Sequence, residues 1–343
     1  MPDTKVKNME EFAVLCGVSR PTISKYFHDA DSVRPRTRAR IEEALERYDY
    51  RPNIYAINQN RKLTKNVGIV VPYLADPYFT EIARKIEENC IAAGYRPTLY
   101  SSHGQKDLEA EILDSLRSLK PAGVLLAPIG RGSDHKVIES FCANVPTVLF
   151  DSNIAGMGEA FIGSDNKSFV NQTVEYLTRT GEAPAFFEMQ TPANPNALKR
   201  RKAYIEIMEA LGHTPEFIRV EGSGWAFEEI GRKGMLKLIE NGNFPSKTIL
   251  CSNDRLAIGL LAACFERNVS VGRTEESMLR VASHDDHPFS RFTCPSLTTA
   301  AHDYNVVADQ SVETLFKLID GGGHLNQRTE TLFPARLIMR ESA

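Results

Sequence analysis

From Asn66 onward the sequence alternates short apolar runs with longer segments of helical periodicity. The run "VGIVV" at 67–71 is followed by apolar residues at three- to four-residue spacing, namely Phe79, Ile82, Ala83, Ile86 and Cys90. Further runs are "TLY", "GVLLA", "TVLF", "AFF", "FIRV", "TILC" and "LRVAS". Nearly continuous apolar strands separated by helices are typical of parallel sheets covered on both faces. About a dozen such units exceed one doubly wound sheet, so the pattern predicts two α/β lobes.

The segment from Met9 to Asp49 follows a helical period throughout and predicts a small three-helix head. Its three apolar faces consist of Phe12, Ala13, Leu15 and Cys16, of Ile23, Tyr26 and Phe27, and of Ile41, Ala44, Leu45 and Tyr48. Ser19 is a good N-cap for the second helix. Pro21 falls in its first turn, where the missing N–H costs nothing.

Charge is divided unevenly between these parts. The whole chain has a formal net charge of −3, which alone argues against binding to nucleic acid. Residues 1–66, however, contain 13 Lys and Arg against 9 Asp and Glu, a net charge of +4, which leaves −7 for the remainder. A small basic head therefore precedes an acidic body.

Cysteine spacing and hydropathy exclude several classes of protein. The six cysteines contain no C-x-x-C pair, so neither a zinc site nor a disulfide framework is indicated. No apolar run is long enough for a membrane span or a signal peptide, which predicts a cytoplasmic protein without a membrane partner.

The head carries a helix, a turn containing Gly17, and a second helix that opens with Ser-Arg-Pro-Thr. Arg34, Arg36, Arg38 and Arg40 follow, so an anionic partner is expected. The second helix of such a pair can enter the DNA major groove, where its first residues reach base edges. A solvated basic face on a protein-binding helical hairpin would show the same spacing, and the pattern alone leaves both interpretations open.

The segment "MEEFAVLCGVSRPTISKYFHDADSVRPRTRARIEEALERYDYRPN" resembles the DNA-binding head of the LacI family of bacterial transcription regulators. The resemblance extends through the body to "PARLIMRES" and so covers nearly the whole chain. It implies an α/β protein with a two-lobed body like that of periplasmic sugar-binding proteins and an N-terminal helix-turn-helix head. It further implies a homodimer that binds a pseudo-palindromic double-stranded operator.

The resemblance places Arg20 and Pro21 at two base-reading positions and Lys25 at a third. Arg20 can donate two hydrogen bonds to a guanine, whereas Pro21 offers only apolar contact. The expected DNA-binding residues are Ser19, Arg20, Pro21, Thr22, Ser24, Lys25, Arg34, Thr37, Asn53, Ala56 and Gln59.

The polar segment between head and body departs from the family pattern. The family's hinge reads roughly Ala-Arg-x-Leu and inserts its leucine into the minor groove as a wedge, whereas residues 56–59 of this chain read "AINQ". Gln59 cannot recover the cost of unstacking a base step by apolar burial. The sequence therefore predicts little kinking of the DNA, unless Ile57 replaces the wedge.

Polar residues follow several of the predicted strands, in "VPYLADPYF", "VLFDSN" and "SNDRLAIG". Ligands of open α/β sheets bind at the carboxyl ends of strands, and carboxylates, amides and an aromatic ring suit a polyhydroxylated ligand. The same residues could simply cap the helices that follow. The family resemblance implies a sugar or polyol effector, and the expected contacts are Tyr78, Phe79, Asp151, Arg200, Trp225, Asn253 and Asp285, with Arg201 as a neighbouring candidate for Arg200.

Several sequence motifs bear on functions other than regulation. Four adjacent side chains in "SHDDHP" at 283–288 cannot easily surround one metal ion, because successive residues of a strand point in different directions. The chain has no G-x-G-x-x-G after the first strand, no G-x-x-x-x-G-K-[ST] and no G-x-S-x-G, so neither a cofactor nor a catalytic residue is predicted. A solute-binding receptor and a sugar-processing α/β enzyme are the alternatives.

The expected domain boundaries follow from these patterns. The helix-turn-helix domain spans 8–53, the hinge 54–66, and the effector-binding and dimerisation domain 67–343. Within the effector-binding and dimerisation domain, the N-lobe is expected at about 67–164 and 295–325, and the C-lobe at about 165–294 and 326–343.

Overall fold

The chain divides into two compact units, Met1–Thr64 and Lys65–Ala343. The computed structural model describes residues 6, 8–48, 50, 64–192, 195–242, 244–274, 276–323 and 327–343. The hinge residues Asn53, Ala56, Ile57 and Gln59 lie outside these ranges.

Within its described residues, the first unit contains three α-helices. They are α1 (Met9–Cys16), α2 (Arg20–His28) and α3 (Pro35–Tyr48), with a 3₁₀ turn at Ala30–Ser32. The side-chain oxygen of Asn8 accepts a hydrogen bond from the Glu11 N–H at 2.9 Å and caps α1. Gly17 ends α1 in the left-handed region at φ 61°, and Ser19 caps α2 as predicted.

The head has a small core of its own. Its buried residues are Met9, Phe12, Ala13, Cys16, Ile23, Ile41, Ala44 and Tyr50. The rings of Phe12 and Tyr50 stack with centroids 4.3 Å apart. Leu15, predicted to be part of the first apolar face, is 43% exposed. The two-turn α1 buries the stripe 9, 12, 13 and 16, and residue 15 lies outside that stripe.

The second unit alternates strands and helices through most of its length. Its first half contains β1 (Asn66–Val71), α4 (Pro77–Ala92), β2 (Arg96–Ser101), α5 (Lys106–Ser118), β3 (Gly123–Leu126), α6 (His135–Cys142), β4 (Thr147–Phe150) and β5 (Ala160–Ser164). Its second half contains α7 (Asn166–Thr180), β6 (Ala185–Met189), α8 (Pro195–Ala210), β7 (Phe217–Val220), α9 (Phe227–Asn241), β8 (Thr248–Cys251), α10 (Asp254–Glu266), β9 (Arg280–Asp285), β10 (Thr298–Ala301), α11 (Tyr304–Asp320), β11 (Thr329–Phe333) and β12 (Arg336–Ile338).

These strands form two six-stranded sheets, which confirms the two-lobed α/β prediction. The first sheet has the order β11-β5-β4-β3-β1-β2 and is parallel throughout. The second has the order β12-β10-β9-β8-β6-β7 and is parallel except for the edge pair β10 and β12. Since most strands are parallel, their carboxyl ends share one edge of each sheet.

The chain passes between the lobes three times, and two of the passages differ from the expected boundaries. Strand β10 pairs with β9 in the second sheet, although 295–325 was assigned to the N-lobe. Strand β11 pairs with β5 in the first sheet, although 326–343 was assigned to the C-lobe. The passages therefore follow β5, β10 and β11. The hydropathy of a segment can indicate that the segment forms a strand, but it does not show which sheet the strand joins.

Helices cover both sheets, and the closest helix pair depends on glycine. A side-chain carbon at Gly259 on α10 would lie 1.9 Å from the Glu228 carbonyl oxygen on α9, so only glycine permits this approach. None of the helices within the described residues is long and apolar enough to span a membrane.

Candidate functional site

Helix α2 presents a polar, exposed N-terminus in the head. The Ser19 hydroxyl accepts from the Thr22 N–H at 3.3 Å and lies 2.9 Å from the Thr22 hydroxyl. Arg20, Pro21 and Lys25 are exposed on the same helix. These are the three residues that the sequence placed at base-reading positions, and the first two turns of α2 bring them together.

The basic side chains of the head differ in how they are used. Arg40 donates to the carbonyl oxygens of Cys16 and Gly17 at 2.7 and 3.0 Å, and so caps the end of α1. Arg38 pairs with Asp31 and with Glu42. Among the described residues, the side chains of Arg34 and Arg36 form no ion pair and are exposed to solvent. The arginines at 38 and 40 therefore have structural partners, which corrects the expectation that all four serve an external anion.

A second cluster lies in the body, where the carboxyl ends of strands from both sheets meet. Asp76, Tyr78 and Phe79 follow β1, Asp151 follows β4, and Asn253 and Asp285 lie at the ends of β8 and β9. The cavity lining consists of Asp76, Tyr78, Phe79, Asp151, Asn196, Arg200, Phe227, Asn253, Arg255 and Asp285. Six of the seven residues predicted to contact an effector are thus brought together.

Arg200 is the centre of this cluster, because every nitrogen of its guanidinium group donates. Nε bonds the Asn166 side-chain oxygen at 3.0 Å, Nη1 bonds the Ser252 carbonyl at 2.7 Å, and Nη2 bonds the Asp285 carboxylate at 2.6 Å. Burial alone would raise the pKa of Asp285, but the Arg200 charge and the His302 ring hold it well below its usual range. Asp285 is therefore ionised in this cluster at any physiological pH.

A chain of hydrogen bonds connects Asp285 in the second lobe to Asp151 in the first. Beyond Arg200, the Asn166 amide donates to the Asn196 oxygen at 3.3 Å, and the Asn196 amide donates to the Asp151 carboxylate at 2.9 Å. Burial raises the pKa of Asp151 to about 6, although the positive charges of Lys199 and Arg200 oppose the rise. Asp151 is held at φ 59°, a backbone conformation that side chains rarely adopt.

A second polar link joins the lobes beside this chain. Arg255 donates to Asp76 of the first lobe at 3.0 Å and bonds both oxygens of Glu228 in its own lobe at 2.6 and 2.7 Å. The two links draw the lobes together around a cavity of about 20 Å³. Ligand sites usually enclose roughly 300–1,000 Å³, so a sugar-sized molecule requires the cleft to open.

Helix capping accounts for part of the pattern that the sequence displayed. Asn253 accepts from the Leu256 N–H at 2.9 Å, and Asp76 accepts from the Tyr78 N–H at 3.0 Å. Both side chains therefore cap helices and also line the cavity. The two interpretations of polar residues at strand ends are compatible.

Trp225 occupies a different place from the one predicted. Its ring stacks on Tyr73 with centroids 5.1 Å apart and planes 12° apart, and it does not line the cavity. Phe227, two residues later at the start of α9, lines it instead. The sequence pointed to the segment around Trp225 but did not show which of its aromatic rings faces the cavity.

The four side chains of "HDDH" at 284–287 contact different partners. His284 donates to the Cys251 carbonyl, Asp285 bonds Arg200, and Asp286 bonds Arg340 at 2.6 Å. The His287 ring accepts from the Phe289 N–H. They diverge as expected for successive residues leaving a strand.

The sequence pattern did not point to several residues that belong to the cluster. They are Asn166, Asn196, Ser252, Arg255, His302 and Tyr304. Asn166 and Asn196 stand in the first turns of helices, where asparagine is common as a cap, so they carried no distinct signal. Their partners are 30 or more residues away in the chain.

Comparison with known proteins places both units in one family. The family model for bacterial regulatory proteins of the lacI family matches residues 8–53, and the model for the periplasmic binding protein-like domain matches 174–343. The NTD biosynthesis operon regulator NtdR of Bacillus subtilis is 25% identical over 336 residues, which cover 97% of this chain and 99% of that protein. The chain belongs to the LacI family.

Solved structures of LacI-family proteins share the fold. The lac repressor dimer bound to operator and the anti-inducer ONPF aligns with a TM-score of 0.83 and 22% identity, over 98% of this chain and 99% of that one. A LacI-type regulator from Alkaliphilus metalliredigens complexed with D-xylulofuranose aligns with a TM-score of 0.68 and 22% identity, over 81% of this chain and 99% of that one. The first match includes the LacI-family head as well as the body.

Proposed function

We propose that this LacI-family protein is a homodimeric transcription repressor whose affinity for operator DNA is controlled by a sugar or polyol bound between the two lobes of the body. Helix α2 of the head reads bases through Arg20, Pro21 and Lys25. Ser19, Thr22, Ser24, Arg34 and Thr37 contact the phosphate backbone or cap helices. Asn53, Ala56 and Gln59 contribute from the hinge.

The observation that carries this proposal is the hydrogen-bond chain from Asp285 through Arg200 to Asp151. It joins groups of both lobes at the place where a ligand enters. A ligand that takes over the bonds of Asp151 must break or re-form a contact between the lobes. Ligand binding is thereby coupled to the arrangement of the lobes, which is the requirement for control of a distant DNA-binding surface.

The chemistry of the cleft favours an uncharged polyhydroxylated ligand. Three carboxylates and two guanidinium groups line the cavity, and both guanidinium groups already bond carboxylates. Within the described residues, the buried hydroxyl of Tyr78, which lines the cavity, has no hydrogen-bond partner. Sugar hydroxyls both donate and accept, so they satisfy such groups, whereas a phosphate would face the carboxylates.

A ligand screen on the purified protein tests the effector class. Neutral sugars, polyols and sugar phosphates are added in turn, and the melting temperature is recorded. A ligand that binds only the native state must raise its stability. Stabilisation by neutral sugars or polyols supports the proposal, and stabilisation by sugar phosphates alone contradicts it.

DNA binding is tested with two arginine variants of the head. We expect Arg20→Ala to relax base preference at one operator position at a cost of about 1–3 kcal/mol, because a bidentate contact to guanine is lost. Arg36→Ala weakens binding to all sequences alike and reduces the slope of log K against log salt concentration by about one. Equal losses on specific and random DNA for Arg20→Ala would remove it from base reading.

The same preparations separate regulation from catalysis. A regulator returns its ligand unchanged, so the ligand is recovered and quantified after prolonged incubation with the protein. Conversion of the ligand would favour the alternative of a sugar-processing enzyme. The absence of any shift of DNA in a gel at low salt would favour the solute-binding receptor.

A further inference from the structure

Arg20, the first residue of α2, has a partner on α1. Its Nε atom lies 2.8 Å from the Glu10 carboxylate oxygen, which links the first residue of α2 to the first turn of α1. The side chains are 58% and 63% exposed, so this pair lies at the surface. An ion pair in such a place contributes little to folding. The ion pair matters for DNA binding because Arg20 is the residue proposed to read a base.

The backbone around this pair is firmly held. Gly17 adopts φ 61°, and Arg40 donates to the carbonyl oxygens of Cys16 and Gly17. Ser19 caps α2 through the Thr22 N–H. The backbone positions of Glu10 and Arg20 are therefore fixed relative to each other, and the ion pair favours those rotamers of the long Arg20 side chain that keep the contact.

The Glu10 carboxylate pairs with the Nε side of Arg20 and leaves the outer edge of the guanidinium group to other partners. In the described part of the chain, no ion pair or hydrogen bond involves Nη1 or Nη2 of Arg20. A guanine accepts two hydrogen bonds, at O6 and N7, from two parallel N–H groups. The two Nη atoms supply that edge while the Nε side remains paired with Glu10.

We propose that Glu10 is a specificity-determining residue that positions Arg20 for a guanine in the operator. The inference rests on the proposed function, because it requires α2 to enter the major groove. Glu10 acts through Arg20 and does not itself contact a base. Its own charge is repelled by DNA phosphates, so it also lowers affinity for DNA of any sequence.

These two effects act in opposite directions and provide the test. Full-length protein first selects duplexes from a randomised DNA library, and Kd is then measured for the selected duplex, for single-base variants and for random duplex. Glu10→Ala is expected to reduce the preference for guanine by about three- to tenfold, within the range of a bidentate base contact. It is expected to raise affinity for random duplex about twofold, because one negative charge is removed.

A control and a double variant distinguish positioning from charge. Glu46→Gln removes the same charge from an exposed position on α3 that is not paired with Arg20. It should raise affinity for random duplex while leaving the base preference unchanged. In the Arg20→Ala background, Glu10→Ala should leave base preference as it is, because the residue that Glu10 positions is absent. The melting temperature of each variant is measured to confirm folding.

The outcomes are separable. An unchanged guanine preference in Glu10→Ala overturns the inference while the proposed function stands. A loss of preference that persists in the Arg20→Ala background also overturns it, because Glu10 would then read a base itself, for instance a cytosine amino group. If the parent protein selects no sequence from the library, the proposed function fails as well.

Discussion

Single side chains organise the effector cleft, and Arg200 has the most extensive set of partners. Its guanidinium group bonds Asn166 on α7, the carbonyl of Ser252 after β8, and Asp285 at the end of β9. Three elements that are distant in sequence are thus fixed relative to one another. An arginine suits this place because its planar group offers several donors in a rigid arrangement.

Replacing Arg200 is expected to abolish the effector response. Arg200→Ala leaves Asp285 as a buried carboxylate without its cation and interrupts the chain to Asp151, so ligand affinity measured by calorimetry should fall at least tenfold, the equivalent of one lost buried bond to a charged group. DNA binding by the head should persist. Arg201→Ala is the matched control, since Arg201 is the next residue on α8 and bonds Glu188 at 2.6 Å outside the cleft. Equal ligand affinity in the two variants would exclude Arg200 from the site.

Asp254 confers a dependence of stability on pH. Burial raises its pKa to about 7, while Ser290, Thr299 and the His287 N–H donate to it. A carboxyl group with a higher pKa in the folded chain binds its proton more tightly there. Its stabilising contribution is therefore present at low pH and is lost as pH rises from about 4 to about 7.

A non-titrating variant isolates this contribution. Between pH 5 and pH 8, the free energy of unfolding of the parent should fall relative to that of Asp254→Asn by roughly 2–3 kcal/mol, two pKa units of differential binding. Urea unfolding at several pH values measures the difference, and other titrating groups cancel because both proteins share them. If the difference in unfolding free energy between the two proteins does not change with pH, Asp254 does not have a raised pKa.

At the scale of elements, the head depends on the turn between α1 and α2. Gly17 adopts φ 61°, and a side-chain carbon at this position would lie 2.4 Å from Arg40 Nη2. The turn therefore needs both the conformational freedom and the small size of glycine. Arg40 then caps α1 and fixes the angle at which α2 presents its first residues.

The hinge at 54–66 remains a prediction at this scale, because Ala56, Ile57 and Gln59 lie outside the described residues. Gln59 stands where the family has leucine, so the operator is expected to bend little, since glutamine does not recover the cost of unstacking. Fluorescence bend measurements on the operator, with Gln59→Leu beside the parent, test this. Gln59→Leu should increase the bend.

A strong bend in the parent would contradict the hinge prediction if it survives Ile57→Ala. A bend that disappears in Ile57→Ala would show that Ile57 provides the wedge. Both variants keep the head intact, so affinity for random duplex serves as the control for folding and binding.

In the body taken as a whole, three backbone passages connect the two sheets, and side chains of both lobes meet across the cleft. The contacts across the cleft are the Asp76–Arg255 and Asn196–Asp151 hydrogen bonds and the packing of Trp225 against Tyr73 and Phe79. Opening the cleft for a ligand breaks these contacts but leaves the strand pairing of each sheet intact. The energy that opposes opening therefore resides in a small number of identifiable contacts.

Weakening one of these contacts should favour the open body. Asp76→Asn removes the charge that Arg255 binds and retains an N-cap for α4, because asparagine caps helices as well as aspartate does. Dyes placed on the two lobes should report a larger mean separation without ligand. Glu228→Gln is the control, since Glu228 bonds Arg255 within one lobe. No change in separation for Asp76→Asn would show that this bond does not hold the cleft closed.

The sequence by itself determined the features that depend on neighbours within about four residues. These include the alternation of strands and helices, the caps at Ser19, Asp76 and Asn253, and the polar residues at strand ends. Periodicity and capping act over one helical turn, so they can be read directly from the order of residues. The family resemblance added the expected positions of the cleft residues.

Only the tertiary structure decided which distant residues meet. The sequence did not reveal that β10 joins the second sheet, that β11 joins the first, or that Asn196 bonds Asp151, from which it is separated by 45 positions in the chain. It also did not show that Phe227 faces the cavity while Trp225 stacks on Tyr73. These contacts are set by the order of the strands in each sheet and by the surfaces through which the two lobes meet. Both depend on packing between strands whose local sequence patterns are alike.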